Sequence, residues 1–278
     1  MSTARLSDRV LTVSTPRSLR QMTNADKAAL LLDLHYAVEL LVLVNVWDAV
    51  SAKAVAAEPG CKALATASHS IANSFGYPDG ERIPVETMLD MVGRIAGAVD
   101  VPVTADLEAG YGDPGGTTAR AIDAGVVGAN LEDQMRPVDE AAAAVAAMVA
   151  AGETAGLGFV VNARTDAFLL AGDREVASVL ADAVERGRAF LDVGAACVFV
   201  PGVRDEQLIG ELVDGIGERR VSVLAGPGSP PQSTLAALGV ARVSYGPWTQ
   251  RVALSALADN AAELLAGSSL PSGVRSFG

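Results

Sequence analysis

The chain has 278 residues, 50% of them hydrophobic but only 4% aromatic, and a formal charge of 21 − 33 = −12. A chain of this length buries a large core, and it fits either two domains or one α/β barrel, which fills about 250 residues as a single unit. The acidity argues against nucleic acid and anionic membranes as partners, since both need a basic footprint. An anionic ligand would need a local metal or an arginine to offset the field.

Residues 1–22 read as a mixed polar leader without the apolar stretch of a secretory signal. A helix starts after Thr23, which can cap, with Asp26 three residues on and an apolar stripe from Ala28 to Leu34. His35 falls on this helix and is expected at its surface. Short apolar runs then alternate with helical stretches. Strands are expected at Leu41–Trp47, Lys62–Ala67, Val101–Glu108, Ala129–Asp133, Phe159–Thr165, Cys197–Pro201, Val221–Ala225 and Ala241–Tyr245. Helices are expected near Ser51–Ala57, Val85–Ala98, Thr117–Ala124, Asp139–Ala151, Glu175–Val193, Asp205–Ile216, Pro231–Leu238 and Thr249–Ala266. Gly128, Gly158 and Gly194 stand where a helix must stop before a strand begins.

This alternation implies right-handed crossovers and a parallel sheet, and eight strands with eight following helices is the number that closes a (β/α)8 TIM barrel. A doubly wound open sheet is the alternative. However, no Gly-x-Gly-x-x-Gly follows the first strand and no Gly-Lys-Ser/Thr phosphate loop occurs. Residues 23–278 are therefore expected to form one barrel domain. The longest uncharged apolar run, Ala141 to Ala151, is far short of the roughly 18 residues a membrane span needs. Two cysteines, Cys61 and Cys197, make no disulfide framework and no Cys-x-x-Cys. A reducing, cytoplasmic setting is expected.

Parallel barrel strands are buried on both faces, so a charge inside one demands a reason. Three neighbouring strands break the rule near their C-terminal ends, in Thr104-Ala105-Asp106-Leu107-Glu108, Asn130-Leu131-Glu132-Asp133 and Asn162-Ala163-Arg164-Thr165-Asp166. Side chains alternate with period two, which puts Asp106 with Glu108, Asn130 with Glu132 and Asn162 with Arg164 on one face each. If those faces point inward, three carboxylates and one guanidinium meet at the end of the barrel that carries active sites. Three carboxylates that close repel unless a cation lies between them, and an oxygen-only donor set suits Mg²⁺ or Mn²⁺. The alternative is a set of buried ion pairs, with Arg164 neutralising Glu132.

At these residues the chain resembles the isocitrate lyase/phosphoenolpyruvate mutase superfamily. The resemblance rests on Asn45-Val46-Trp47-Asp48-Ala49, Ser74-Phe75-Gly76-Tyr77-Pro78-Asp79-Gly80, Ala105-Asp106-Leu107-Glu108-Ala109-Gly110-Tyr111-Gly112, Leu131-Glu132-Asp133-Gln134 and Asn162-Ala163-Arg164-Thr165-Asp166-Ala167. It runs from about Thr23 to about Leu265. It implies a (β/α)8 barrel whose last helix is commonly exchanged between subunits, hence a homo-oligomer, dimer or tetramer. It also implies Mg²⁺ held chiefly by Asp106, with Glu108 and Glu132 acting largely through water. Ser68 and its neighbours, Ser70 among them, would hold a 2-oxo carboxylate together with Arg164, while Asp79 would lie near the reacting groups. Asn130 and Asn162, on the same faces, are candidate substrate contacts. The shared chemistry makes or breaks a C–C or P–C bond while an enolpyruvate-like or oxalate-like anion stays on the metal.

The chain departs from that pattern after the fourth expected strand. Superfamily lyases carry a loop reading roughly Lys-Lys-Cys-Gly-His, whose Cys supplies a proton. Here Glu132-Asp133-Gln134-Met135-Arg136-Pro137-Val138-Asp139 runs straight into the Ala-rich helix. His69, Tyr111 and Asp79 are then rival acid/base groups, although His69 would equally serve as a hydrogen-bonding group in its loop. The segment Gly226-Pro227-Gly228-Ser229-Pro230-Pro231 has no Lys or Arg and reads as a turn into a helix. The expectation is a Mg²⁺-dependent enzyme cleaving or hydrolysing a C–C bond of a small 2-oxo or 2-hydroxy carboxylate through a metal-bound enolate. The outcome would be lyase, decarboxylase or oxaloacetate-hydrolase-like. A P–C bond enzyme and a non-catalytic 2-oxo-acid sensor are the alternatives.

Overall fold

The computed structural model describes residues 22–277, so the leader expected at residues 1–22 lies, Met22 apart, outside the described residues. Helix α1 (Asn24–Tyr36) opens on the expected capping box, with Thr23 and Asp26 each satisfying the other's backbone N–H. The chain then lays down β1 (Leu41–Leu43), β2 (Asn45–Val46), α2 (Ala49–Ala56), β3 (Leu64–Thr66), α3 (Ser68–Ser74), α4 (Val85–Gly97), β4 (Val103–Asp106), α5 (Pro114–Asp123) and β5 (Gly128–Glu132). It continues with α6 (Val138–Thr154), β6 (Val160–Arg164), α7 (Val176–Asp192), β7 (Cys197–Val200), α8 (Glu206–Ile216), β8 (Val221–Leu224), α9 (Gln232–Ala237), β9 (Arg242–Ser244) and α10 (Trp248–Leu265).

All strand pairs are parallel, in the order β1-β9-β8-β7-β6-β5-β4-β3-β2. β1 and β2 are the two halves of the first expected strand, parted at Val44, so the sheet runs from one half round to the other as a (β/α)8 barrel. No described helix is long and apolar enough to cross a membrane. Val, Ile, Leu, Ala and Met fill the layer between strands and helices, as Met88, Ile95, Val161, Ile209 and Val243 do at 0 to 1% exposure. α1 plugs the N-terminal end of the barrel: a Cβ on Gly128, the first residue of β5, would come 2.9 Å from Leu31 Cδ2.

Three expectations need correction. α3 was not anticipated; a polar heptapeptide whose only apolar residues are Ile71 and Ala72 lacks a helical stripe, and packing on α4 stabilises it. β4 ends at Asp106, so Glu108 lies beyond the strand and not on its alternating face. Its φ of 53° turns the chain, and Glu108 comes to the site through that turn instead. His35 is fully buried, not on the surface, because the face of α1 that carries it is pressed into the barrel end.

Candidate active site

Strand register sets the rows of the site. Asp106, Asn130 and Asn162 lie side by side on β4, β5 and β6, and Glu132, Arg164 and Phe199 form the next row on β5, β6 and β7. From these rows Asp106, Asn130, Arg164 and Phe199 line a cavity of about 170 Å³ at the C-terminal ends of the strands. The cavity is lined on one side by Ser68, His69, Asp79, Asp106, Asn130 and Arg164.

Asp106 is tightly placed. Its Oδ2 accepts from Ser68 Oγ at 2.7 Å and Ser68 N at 3.2 Å, and its own N–H donates to Thr66 Oγ1 at 2.9 Å. Its Oδ1 is buried with no hydrogen-bond partner. Glu108 accepts from the Tyr111 hydroxyl at 2.7 Å and from the backbone N–H of Glu81, whose carboxylate in turn accepts from Tyr111 N at 2.6 Å. Arg164 is braced between two carboxylates, donating from Nη1 to Glu132 and from Nε to Asp166 Oδ1 at 2.7 Å. One layer back, Asp133 accepts from Asp166 N and Met135 N, each at 3.0 Å, and pairs with the buried Arg186 at 3.1 Å.

The electrostatics express crowding. Burial pushes Glu108, Glu132 and Asp166 above the ordinary carboxylate range; Arg164 opposes this for Glu132 and Asp166, while Asp106 adds to it for Glu108 and Glu132. Burial, then Glu108, drives the Tyr111 phenol up, so it holds its proton. Five non-glycine residues with φ between 49° and 58° surround this mouth: Glu81, Glu108, Tyr111, Gln134 and Met135. Such backbone is costly and collects where a site must be shaped.

Among the described residues, no three His, Cys, Asp or Glu side chains close on one point as a ready-made metal cage. A small hard cation that keeps most of its waters needs only one or two direct carboxylates. The orphaned Asp106 Oδ1 with Glu108 and Glu132 near it fits that kind of site, and oxygen-only donors select Mg²⁺ or Mn²⁺.

The structure thus brings Ser68, His69, Asp79, Asp106, Asn130 and Arg164 to one cavity. The remaining candidates sit around it. Glu108 and Glu132 hold Tyr111 and Arg164, and Asn162 donates to Asn130 Oδ1 at 2.8 Å from the neighbouring strand. Ser70 does not line the cavity: its Oγ is buried without a partner and its carbonyl accepts from Gln250 Nε2 of α10 at 2.9 Å. Tyr111 spends its hydroxyl on Glu108, which leaves His69 and Asp79 as the acid/base candidates at the cavity wall. His69 Nδ1 is buried without a partner.

Sequence reasoning passed over Glu81, whose role depends on a left-handed turn. It also passed over Arg242, although a charge inside the eighth expected strand was the same signal that exposed the others. Arg242 is 1% exposed in the barrel axis, where its Nη2 lies 3.3 Å from Asn130 Oδ1.

A family model described as phosphoenolpyruvate phosphomutase matches residues 31–265. An uncharacterized protein of Mycobacterium tuberculosis H37Rv is 33% identical over 87% of this chain and 91% of its own. A solved structure from Burkholderia cenocepacia J2315, provisionally assigned as a phosphonomutase, is 40% identical over 88% of this chain and all of its own, with a TM-score of 0.80. Oxaloacetate acetylhydrolase, solved with its product oxalate, is 27% identical over 91% of both chains, with a TM-score of 0.79.

Proposed function

Because this chain belongs to the isocitrate lyase/phosphoenolpyruvate mutase superfamily, whose members are lyases, hydrolases and mutases, we propose that it is a Mg²⁺-dependent enzyme of small 2-oxo or 2-hydroxy carboxylates. It would cleave or hydrolyse a C–C bond in them. The observation that carries this reading is Asp106, one oxygen buried and unpartnered, beside an arginine braced for a carboxylate. Asp106, Glu108 and Glu132 are the residues that would hold a divalent cation, and the cation would supply positive charge where carbanionic charge develops.

The chain's own residues do the rest. Arg164 binds the substrate carboxylate as a planar fork, its plane set by Glu132 and Asp166. Ser68 fixes the Asp106 rotamer. His69 or Asp79 moves the proton, both being at the wall while Tyr111 is held by Glu108. The test is divalent-dependent turnover of a panel of 2-oxo acids, 2-hydroxy acids and phosphonates. Asp106→Ala should lower activity by at least about a hundredfold, the scale of losing one main stabiliser of transition-state charge. Activity retained in that variant sinks the metal assignment.

Two readings stand behind this one. The 40%-identical neighbour favours P–C chemistry, which phosphonopyruvate in the same panel would reveal. The short link of residues 133–137 between β5 and α6 favours a sensor without a closing lid. Tight oxalate binding with no turnover of any compound would support that. A homo-oligomer completes the proposal, since α10 buries only Gln250 and exposes Val252, Leu254 and Leu257; the free Cys61 and Cys197 support a reducing, cytoplasmic setting.

A further inference from the structure

The cavity has two unlike walls. The charged and hydrogen-bonding groups Asp106, Asn130 and Arg164 come from β4, β5 and β6, joined by Ser68, His69 and Asp79 from the segment after β3. The opposing wall is mostly apolar: Phe199 and Pro201 from the end of β7, Leu224 from the end of β8, Leu169 from the link after β6, and Pro247 after β9. Ser244, beside Leu224, and Asn45, whose amide is committed to backbone groups, are the uncharged polar residues that border it. Phe199 is 5% exposed and Leu169 47%, so this wall runs from the floor of the cavity to its rim.

Arg164 is the only permanent cation among the lining residues, and two carboxylates already claim it. The link after β8, residues 225–231, contains no Lys or Arg. Arg204, after β7, is exposed and does not line the cavity. A second anionic group on the substrate, carboxylate or phosphonate, would therefore be desolvated against Phe199 and Leu224 with no second lining cation to pair it, near Asp79 and Asp106.

We propose that the substrate carries one carboxylate on the Arg164 side and an uncharged alkyl arm on the β7–β8 side. This makes Phe199, Leu224 and Leu169 specificity-determining residues. The inference rests on the 2-oxo-acid reading above and narrows it to compounds whose second arm is neutral. An apolar wall gains from each methylene it covers, about fourfold in affinity, and rejects a charge far more steeply.

Calorimetry on the full chain with Mg²⁺ separates the two levels of the argument. Oxalate, which has no arm, tests the underlying site. 2-Oxobutanoate and 4-methyl-2-oxopentanoate should then bind at least about tenfold tighter than 2-oxoglutarate and phosphonopyruvate. If oxalate binds but the two anionic arms bind as well as the alkyl ones, the arm assignment is overturned and the 2-oxo-acid site stands. If neither oxalate nor any 2-oxo acid binds, both fall. Leu224→Lys should shift the ratio toward 2-oxoglutarate by tenfold or more. Leu169→Lys, at the exposed rim and no threat to folding, should shift it the same way. An unchanged ratio in the folded variants overturns the wall assignment, as does an anionic-arm preference that disappears in Arg204→Ala.

Discussion

His35 and Arg242 are two basic side chains enclosed in the barrel, both buried to within 1% of full enclosure. Desolvation, then the nearby Arg242 charge, lowers the His35 pKa to about 3, against the one stabilising bond from its Nδ1 to Leu31 O at 2.7 Å. The imidazole is therefore neutral in the folded protein and chargeable in the unfolded one. With the folded pKa below the unfolded value near 6.5, the stability is fully present above pH 6.5 and is lost as pH falls toward 3. Its contribution should decline by about 1.4 kcal/mol per pH unit through that window. Urea unfolding at pH 7, 6, 5 and 4 should show a shallower decline in His35→Gln than in the parent, and identical slopes would refute a neutral buried His35. Arg242 keeps its charge more weakly than usual, desolvation bringing its pKa down to about 10. Asn130, which its Nη2 approaches, stands in the row of Asp106, so a buried positive charge lies beneath the carboxylates.

The turn after β4 converts a strand end into a site. Gly110, Tyr111 and Gly112 all have positive φ, and the loop folds back so that Thr117 Oγ1 donates to Gly110 O at 3.0 Å. The two glycines are not equivalent. A Cβ on Gly110 would come 2.8 Å from the Pro114 backbone, while a Cβ on Gly112 meets nothing within 4 Å. Gly112→Ala should cost about 1 kcal/mol for the left-handed backbone alone. Gly110→Ala should cost clearly more, since the first turn of α5 must also move. Chemical denaturation of both variants checks this, and equal losses would mean the loop relaxes freely around Pro114. The spacing Gly-x-Gly was visible in the chain, but which glycine is enclosed depends on how α5 docks.

α10 is the longest helix described and buries the least for its length. Of its eighteen residues only Gln250 is buried, and Leu257 and Leu265 are 64% and 90% exposed. Exposed leucines along a long helix mark a surface that another chain covers. A second copy is the partner expected from the superfamily resemblance. Sedimentation should find a dimer or larger assembly, and Leu257→Glu should shift it toward monomer; a monomeric parent protein would remove this reading. The molecule as a whole carries its −12 charge partly at one place, where Asp79, Asp106, Glu108, Glu132 and Asp166 outnumber Arg164 around a single barrel mouth.

The order of strands and helices, the barrel and the inward carboxylates of β4 and β5 were legible in the chain. Periodicity and a charge inside an apolar strand are local signals that survive without knowledge of what packs where. The split of the first strand, the helix α3, the turn that carries Glu108 and the burial of His35 were not. Each is set by contacts with segments far away in sequence: Glu108 by Glu81, Ser68 by Asp106, and His35 by the barrel end it plugs. The apolar wall belongs to the same class. Phe199 and Leu224 look like ordinary core residues in a β-strand, and only barrel closure turns them toward Arg164 and makes them a boundary for the ligand.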